Sequence, residues 1–81
     1  MRIFVGNLSF KATDEDIREA FEPYGNVTSV ELMRERDTGR SRGFAFVDMP
    51  EANEANKAMD ALDGKALLGR PIRVNEAQAR R

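Results

Sequence analysis

The amino-acid sequence predicts an α+β fold, a two-layer sandwich in which a four-stranded antiparallel sheet carries both helices on one face. Hydrophobic spacing indicates six elements in the order strand, helix, strand, strand, helix, strand (βαββαβ). Two interleaved right-handed crossovers place the first and third strands in the centre, so the strand order is 4-1-3-2. In both central strands arginine and phenylalanine alternate with small or aliphatic residues, so one face of the sheet is expected to lie open.

Residues 42–49, RGFAFVDM, predict the third strand. Alternation puts Arg42, Phe44 and Phe46 on one face, opposite a face of small and aliphatic side chains. A dry core does not accept unpaired charges beside the rings, so we expect both phenylalanines to face water. Paired phenylalanines on a strand are more often core residues, and this segment alone leaves that alternative open.

Residues 2–6, RIFVG, predict the first strand, and their pattern favours the interpretation that the phenylalanine rings of both strands are exposed. Arg2 and Phe4 share one face, and Ile3 and Val5 share the other. Two separate strands therefore place arginine and phenylalanine on the same side. Exposed rings next to guanidinium groups are suited to stacking planar bases while the arginines meet phosphates.

Residues 14–23 predict the first helix. Thr13 is a suitable N-cap, and the three acidic residues after it are favoured near the positive end of the helix dipole. Gly25 is placed to end the helix in a left-handed conformation. The apolar stripe that should face the sheet consists of Ile17, Ala20, Phe21 and Tyr24.

Residues 27–35 predict the second strand, with Val30 and Leu32 turned inward and Glu31 and Met33 on the other face. A hairpin loop follows, because turn-forming residues lie at its centre. The loop segment, residues 34–42, is basic and contains Arg34, Arg36, Arg40 and Arg42 around Asp37, Thr38 and Gly39.

Residues 51–63 predict the second helix, and Gly64 is its expected stop. Residues 66–69 form a short connection that contains a turn. The final strand, residues 71–76, begins at Pro71, which is typical of an edge strand. Ile72 and Val74 should point inward, and Arg73 and Asn75 outward.

Length and composition exclude several classes of protein. The chain has 81 residues, enough for one domain, which we place at residues 1–77 with a disordered tail at 78–81. It contains no cysteine and no histidine, which excludes disulfides, imidazole catalysis and the usual zinc sites. No apolar run approaches the ~18 residues of a membrane span. The expectation is a soluble, cytoplasmic monomer without cofactor, metal, membrane contact or small-molecule substrate.

The distribution of charge is more informative than the net charge of −1. The two predicted helices hold nine of the 14 acidic side chains but only two of the 13 basic ones. The strands, loops and tail therefore carry eleven bases and five acids, a balance of +6. Acidic helices also confer solubility, which is a simpler account of the same pattern.

The two central strands carry both signatures of a known family. RGFAFVDM matches six of the seven specified positions of the ribonucleoprotein octapeptide, and IFVGNL, residues 3–8, matches the hexapeptide. Over essentially its whole length the chain resembles an RNA recognition motif, which has a ferredoxin-like fold. In particular it is similar to the small single-domain RNA-binding proteins of bacteria and cyanobacteria, which are related to glycine-rich RNA-binding proteins.

The resemblance implies a ligand of single-stranded RNA, with single-stranded DNA left open. Two or three base stacks with two to four phosphate contacts suit a strand of about two to four nucleotides. The resemblance also implies that Phe4 and Phe44 stack on bases, that Phe46 packs against a sugar or a base, and that Arg42 pairs with a phosphate. RNA chaperoning and post-transcriptional regulation are both open as cellular roles. The expected site has stacking residues Phe4, Phe44 and Phe46, phosphate or polar contacts Arg2, Arg40, Arg42, Arg73 and Asn75, and secondary contacts Met33, Arg34, Arg36 and Gln78.

The chain departs from the family pattern in three places. Met49 replaces the final aromatic residue of the octapeptide, but it should point inward and affect packing only. Glu31 and Asp48 add negative charge to the open face and are expected to oppose tight binding. The glycine-rich extension of many relatives is not present in this sequence.

Three other functions compete with nucleic-acid binding. An acylphosphatase-like hydrolase of the same fold needs an arginine in the loop after the first strand, where Lys11 is the only base, so no enzyme activity is expected. A metal site at Asp14, Glu15 and Asp16 is better explained as helix capping. The main alternative is a protein-interaction domain that uses the aromatic face or the helices.

Overall fold

The computed structural model describes residues 1–77. Four strands form one antiparallel sheet in which the first and third strands are central and the second and the last lie at the edges, and this confirms the predicted ferredoxin-like order. Two short strands form a separate hairpin. The elements are β1 (Arg2–Gly6), α1 (Asp14–Phe21), β2 (Ser29–Arg34), β3 (Ser41–Asp48), α2 (Ala52–Leu62), β4 (Ala66–Leu67), β5 (Arg70–Pro71) and β6 (Arg73–Glu76).

One apolar core lies between the sheet and the two helices. The inward residues of the central strands are completely buried, as the alternation predicts. Val30 and Leu32 of β2 are only half-buried, because β2 is an edge strand with a single neighbour. The buried core comprises Ile3, Val5, Leu8, Ala12, Ile17, Phe21, Val27, Ala45, Val47, Met49, Ala55, Ala58, Leu62, Ile72 and Val74.

The first helix begins where the sequence predicts, at a capping box. The Thr13 hydroxyl accepts a hydrogen bond from the Asp16 backbone N–H at 3.1 Å. The Asp16 carboxylate accepts one in return from the Thr13 N–H at 3.0 Å. These two bonds satisfy two backbone groups that the first turn would otherwise leave unpaired.

The predicted end of this helix is wrong in two details. The α-helix stops at Phe21, and a 3-10 turn, Glu22–Tyr24, follows it. Gly25 has φ 161°, which is extended and not left-handed. The glycine is needed there for close packing, because a Cβ on Gly25 would lie 2.5 Å from the Cβ of Glu54.

The predicted final strand is also corrected. β6 begins at Arg73, whereas Pro71 belongs to the β4–β5 hairpin. The turn expected within residues 66–69 is present, but it joins two short strands that were not predicted. Leu68 and Gly69, at the tip of this hairpin, have φ of 53° and 85°. A turn with two positive φ values suits a two-residue hairpin, but leucine rarely adopts this conformation, so the sequence does not indicate it.

The remaining boundaries follow the predictions within one residue, except at β2. α2 is followed by Gly64 at φ 84°, the left-handed conformation expected of its stop. β2 is shorter than the predicted 27–35. The basic loop after it closes as a hairpin, because the Glu35 N–H donates to the Arg40 carbonyl at 2.8 Å and Gly39 turns with φ 72°.

Candidate nucleic-acid interface

A row of four side chains crosses the open face of the sheet from edge to edge. Phe4 of β1 is directly opposite Phe46 of β3. Glu31 of β2 continues the row on one side, and Asn75 of β6 continues it on the other. The two rings therefore occupy the centre of the sheet, and polar groups flank them.

Phe44 completes a cluster of three aromatic rings with Phe4 and Phe46. The ring centroids are 5.8 Å apart for Phe4 and Phe44, 5.9 Å for Phe4 and Phe46, and 6.0 Å for Phe44 and Phe46. The three rings are half-buried, whereas their chain neighbours Val5 and Val47 are completely buried. The predicted sidedness of the two strands is confirmed.

Gly6 makes room for one of these rings. A Cβ built on Gly6 would lie 2.7 Å from Cε2 of Phe4, closer than real side chains pack. The Phe4 ring therefore lies along its own strand, over a position that has no side chain. A glycine within a strand is a known sign of close approach, and this role of Gly6 was not predicted from the sequence.

Gly43 lies at an irregularity between β2 and β3. The register shifts between Leu32 and Arg34, and Gly43 has φ 88°, a conformation that favours glycine. The carbonyl of Gly43 accepts a hydrogen bond from the Leu8 N–H at 2.9 Å, which ties the loop after β1 to the start of β3. Arg42 and Phe44 flank Gly43 in the chain, and the guanidinium carbon of Arg42 lies 5.7 Å from the centre of the Phe44 ring.

Arg2 is held over the ring cluster by two carboxylates. It reaches from β1 across β3 and donates to the Glu31 carboxylate at 2.8 Å, while its other terminal nitrogen is 3.7 Å from Asp48. Its guanidinium carbon lies 4.5 Å from the centre of the Phe46 ring. The two acidic groups of the open face are therefore paired with Arg2, and Arg2 covers part of Phe46.

The other predicted site residues divide into three groups. Arg73 and Asn75 lie on the open face, because they pair across β1 with Gly6 and Phe4. Gln78 and the predicted tail, residues 78–81, fall outside the described residues. At the β2–β3 end, Met33 is half-buried, and the exposed residues are Arg34, Arg36, Arg40 and Arg42.

The structure also shows exposed residues that the sequence reasoning missed. Phe10, in the loop after β1, is 70% exposed. Asn7 connects that loop to the β4–β5 hairpin, since its amide donates to the Pro71 carbonyl at 2.7 Å and accepts from Arg70 at 2.8 Å. Neither residue belongs to a periodic pattern, and only the aromatic character of Phe10 in a polar loop could have indicated it.

Two other kinds of feature bear on function, a metal-binding group and a membrane-spanning helix. Within residues 1–77, no group of three or more acidic side chains is arranged to hold a metal ion. Over the same range, no helix is both long and apolar enough to cross a membrane. The open face presents three aromatic rings that are surrounded by charged and amide groups.

Comparison with known proteins assigns the family. A model of the RNA recognition motif matches residues 3–73, a range that includes the ring cluster and all of the two central strands except Arg2. The chain belongs to the RNA recognition motif family. Both signature segments of the family lie on β1 and β3, and the substituted position of the octapeptide, Met49, is buried in the core as expected.

Sequence relatives confirm the particular resemblance to cyanobacterial and glycine-rich proteins. The chain is 49% identical over 80 residues to "Putative RNA-binding protein RbpD" of Nostoc sp., which covers 99% of this chain and 85% of that protein. It is also 49% identical over 79 residues to "Glycine-rich RNA-binding protein 5, mitochondrial" of Arabidopsis thaliana, covering 98% of this chain and 27% of that protein.

Solved structures of the family superimpose closely on this chain. The crystal structure of "RNA Binding Protein PG1" has a TM-score of 0.95 and 42% identity, covering 100% of this chain and 98% of that one. A chain solved as the "SXL-LETHAL PROTEIN/RNA COMPLEX" has a TM-score of 0.88 and 33% identity, covering 94% of this chain and 47% of that one.

Proposed function

We propose that this domain binds single-stranded RNA by stacking bases on Phe4, Phe44 and Phe46. The observation that carries the proposal is the cluster of three half-buried rings in mutual contact at the centre of an uncovered sheet. Aromatic rings on a rigid strand stack on any base, because every base has a π-face. The relatives named as RNA-binding proteins and the neighbour solved with RNA support the same function.

The charge layout supports an RNA strand on the sheet and not on the helices. Acidic side chains are concentrated on α1 and α2 and repel phosphate there. Arg42 of β3 and Arg73 of β6 border the rings on two sides, and we therefore propose that they meet the phosphates of an RNA strand that crosses the sheet. Two to four nucleotides bound in this way are consistent with a micromolar dissociation constant, at about 1–3 kcal/mol per stacked base.

Arg2 was expected to contact a phosphate, and here we propose a different role for it. Its guanidinium is already bound to Glu31 and Asp48 and lies on Phe46. A planar guanidinium that lies on the ring can itself present a flat surface to a base, and its charge offsets one of the two negative charges, so that the acids repel RNA less. Arg2 is therefore proposed to position and complete the stacking surface.

Binding is expected to weaken as salt concentration rises. For a single strand the slope of log affinity against log salt is about −0.7 per phosphate contact, so two to four contacts give about −1.4 to −2.8. Arg42→Ala should reduce the size of the slope by about 0.7. The matched control is Lys57→Ala on α2, which should leave the slope unchanged, and an equal effect of both changes would contradict the assigned face.

Gly6→Ala should weaken RNA binding by displacing the Phe4 ring. The added Cβ would meet Cε2 and Cζ of Phe4 at 2.7 and 2.9 Å, so the ring must swing out of its place beside Phe44. The loss of binding free energy should not exceed the contribution of one stacked base, about 1–3 kcal/mol. Titration of Gly6→Ala in wild-type and Phe4→Ala backgrounds tests this, because the glycine change should have no further effect once the ring is gone.

The decisive experiment is a titration with a mixed pool of short RNA oligomers, followed by amide NMR shifts. Shifts centred on residues 2–6 and 42–48 are expected. Competition by a DNA pool of the same lengths measures how far the site distinguishes the two sugars. If shifts are absent from both segments at millimolar RNA, the proposal is wrong.

A second candidate function is protein binding on the helical side. An apolar groove of about 260 Å³ lies between the end of α1 and the β4–β5 hairpin. The same NMR spectra separate this function from RNA binding, since a peptide in the groove would shift its lining residues and not the sheet. The lining includes Ala20, Pro23, Tyr24, Leu62, Leu67 and Ile72.

A further inference from the structure

The loop after β1 exposes an aromatic ring that the proposed stacking cluster does not use. Phe10 is 70% exposed, more than any other large apolar side chain within residues 1–77. The loop is held at the end of the sheet, because the Leu8 N–H donates to the Gly43 carbonyl at 2.9 Å. A Cβ placed on Gly43 would lie 3.6 Å from the edge of the Phe10 ring, so the ring stands beside the start of β3.

Phe10 lines a cleft of about 270 Å³ together with Glu35, Arg40 and Arg42. The cleft lies between the loop after β1 and the β2–β3 hairpin loop. Arg40 and Arg42 are exposed, and neither forms an ion pair with an acidic group in the described part of the chain. Both cations are thus available to an anionic ligand.

The cleft is continuous with the ring cluster through Arg42. This side chain lines the cleft and also lies 5.7 Å from the centre of the Phe44 ring. One guanidinium can therefore bridge a nucleotide on Phe44 and a neighbour in the cleft. An RNA strand with one base stacked on Phe44 can therefore continue into the cleft while it stays on the surface of the protein.

The mixture of groups in the cleft favours a nucleotide over simpler ligands. Glu35 accepts a hydrogen bond from the Thr38 hydroxyl at 3.1 Å and places negative charge beside Arg40 and Arg42, which is unfavourable for a bare anion. A nucleotide uses all of the groups: its base stacks on Phe10, a base N–H group donates to Glu35, and its phosphate meets an arginine.

We propose that this cleft is a further nucleotide subsite, which takes one base of a single strand on Phe10 next to the base on Phe44. The inference rests on the proposed RNA-binding function and extends it beyond the three-ring cluster. It predicts that the domain contacts a longer strand than the three rings alone can hold. A strand of three nucleotides fills the rings, and a strand of five also reaches the cleft.

The test compares tri- and pentanucleotide RNA binding by Phe10→Ala and by the wild-type domain. Phe10→Ala should weaken pentanucleotide binding at least about fivefold, the lower bound for one stacked base, and leave trinucleotide binding unchanged. Phe10→Tyr should retain pentanucleotide affinity, because it keeps the ring. The control is Leu68→Ala, which removes the other large exposed apolar side chain, 53% exposed, and should change neither affinity.

The outcomes separate this inference from the function on which it rests. Equal pentanucleotide binding by wild-type and Phe10→Ala domains overturns the subsite and leaves the ring cluster intact. An equal loss for both lengths also overturns it, since Phe10 would then support the cluster itself. Failure of the wild-type domain to bind either oligomer overturns the proposed function and the subsite together.

Discussion

Replacing Phe44 and Phe46 together with alanine is expected to abolish measurable RNA binding while the domain remains folded. Each ring should contribute about 1–3 kcal/mol of stacking free energy. Loss of both rings should therefore raise a micromolar dissociation constant by about two to four orders of magnitude. Isothermal titration with a short RNA oligomer measures the loss. The rings are half-buried on the open face, where they contact each other, Phe4 and the guanidinium groups of Arg2 and Arg42, so their removal is expected to open no cavity in the core.

The same chemical change in the core provides the control. Phe21 of α1 is completely buried, and Phe21→Ala should cost about 3–5 kcal/mol of stability. The double change at Phe44 and Phe46 removes all three ring pairs and should cost about 1.5–4.5 kcal/mol, at about 0.5–1.5 kcal/mol per pair. If thermal denaturation shows that each β3 ring costs as much as Phe21, about 6–10 kcal/mol for the pair, the rings of β3 are core residues and the proposed binding face is wrong.

Val47→Asp is expected to unfold the domain. Val47 has 0% exposure and lies opposite Ile3 on one side and Val30 on the other, so the carboxylate would be buried without a partner. Substitutions of this kind cost more than about 4–5 kcal/mol, and a domain of this size is stable by about 4–12 kcal/mol. Circular dichroism should show loss of structure or a large fall in the melting temperature.

Phe46→Asp is the matched control for this prediction. It places the same charge one residue away, on the open side of the same strand, next to Arg2. This variant should remain folded and lose RNA binding. If the aspartate at position 47 is tolerated and the one at position 46 is not, the two faces of the sheet have been assigned the wrong way round.

The sequence was sufficient for the topology and for the two faces of the central strands. A sheet covered by helices on one side requires aliphatic residues there, and this requirement appears as alternation around Phe4 in β1 and around Phe44 and Phe46 in β3. The edge strand β2 follows the same rule less strictly, because Val30 and Leu32 are covered only in part. Its predicted boundaries were accordingly less accurate.

Features that depend on contacts between distant segments could not be predicted. Gly25 is a glycine because Glu54 lies against it, and Arg2 is paired because the register brings Glu31 within reach across β3. Both depend on the packing of distant elements, which local patterns do not encode. Leu68 adopts a positive φ that its residue type does not favour, so the hairpin at this position was also missed.

The contacts among the three rings have a consequence for the entropy of association. Phe4, Phe44 and Phe46 hold one another in place before any ligand arrives, and each is anchored to a strand at the centre of the sheet. Little side-chain freedom remains to be lost on the protein side, so the ordering penalty falls mainly on the nucleic acid. Among oligomers of equal length, flexible and weakly self-stacked strands should therefore associate most readily.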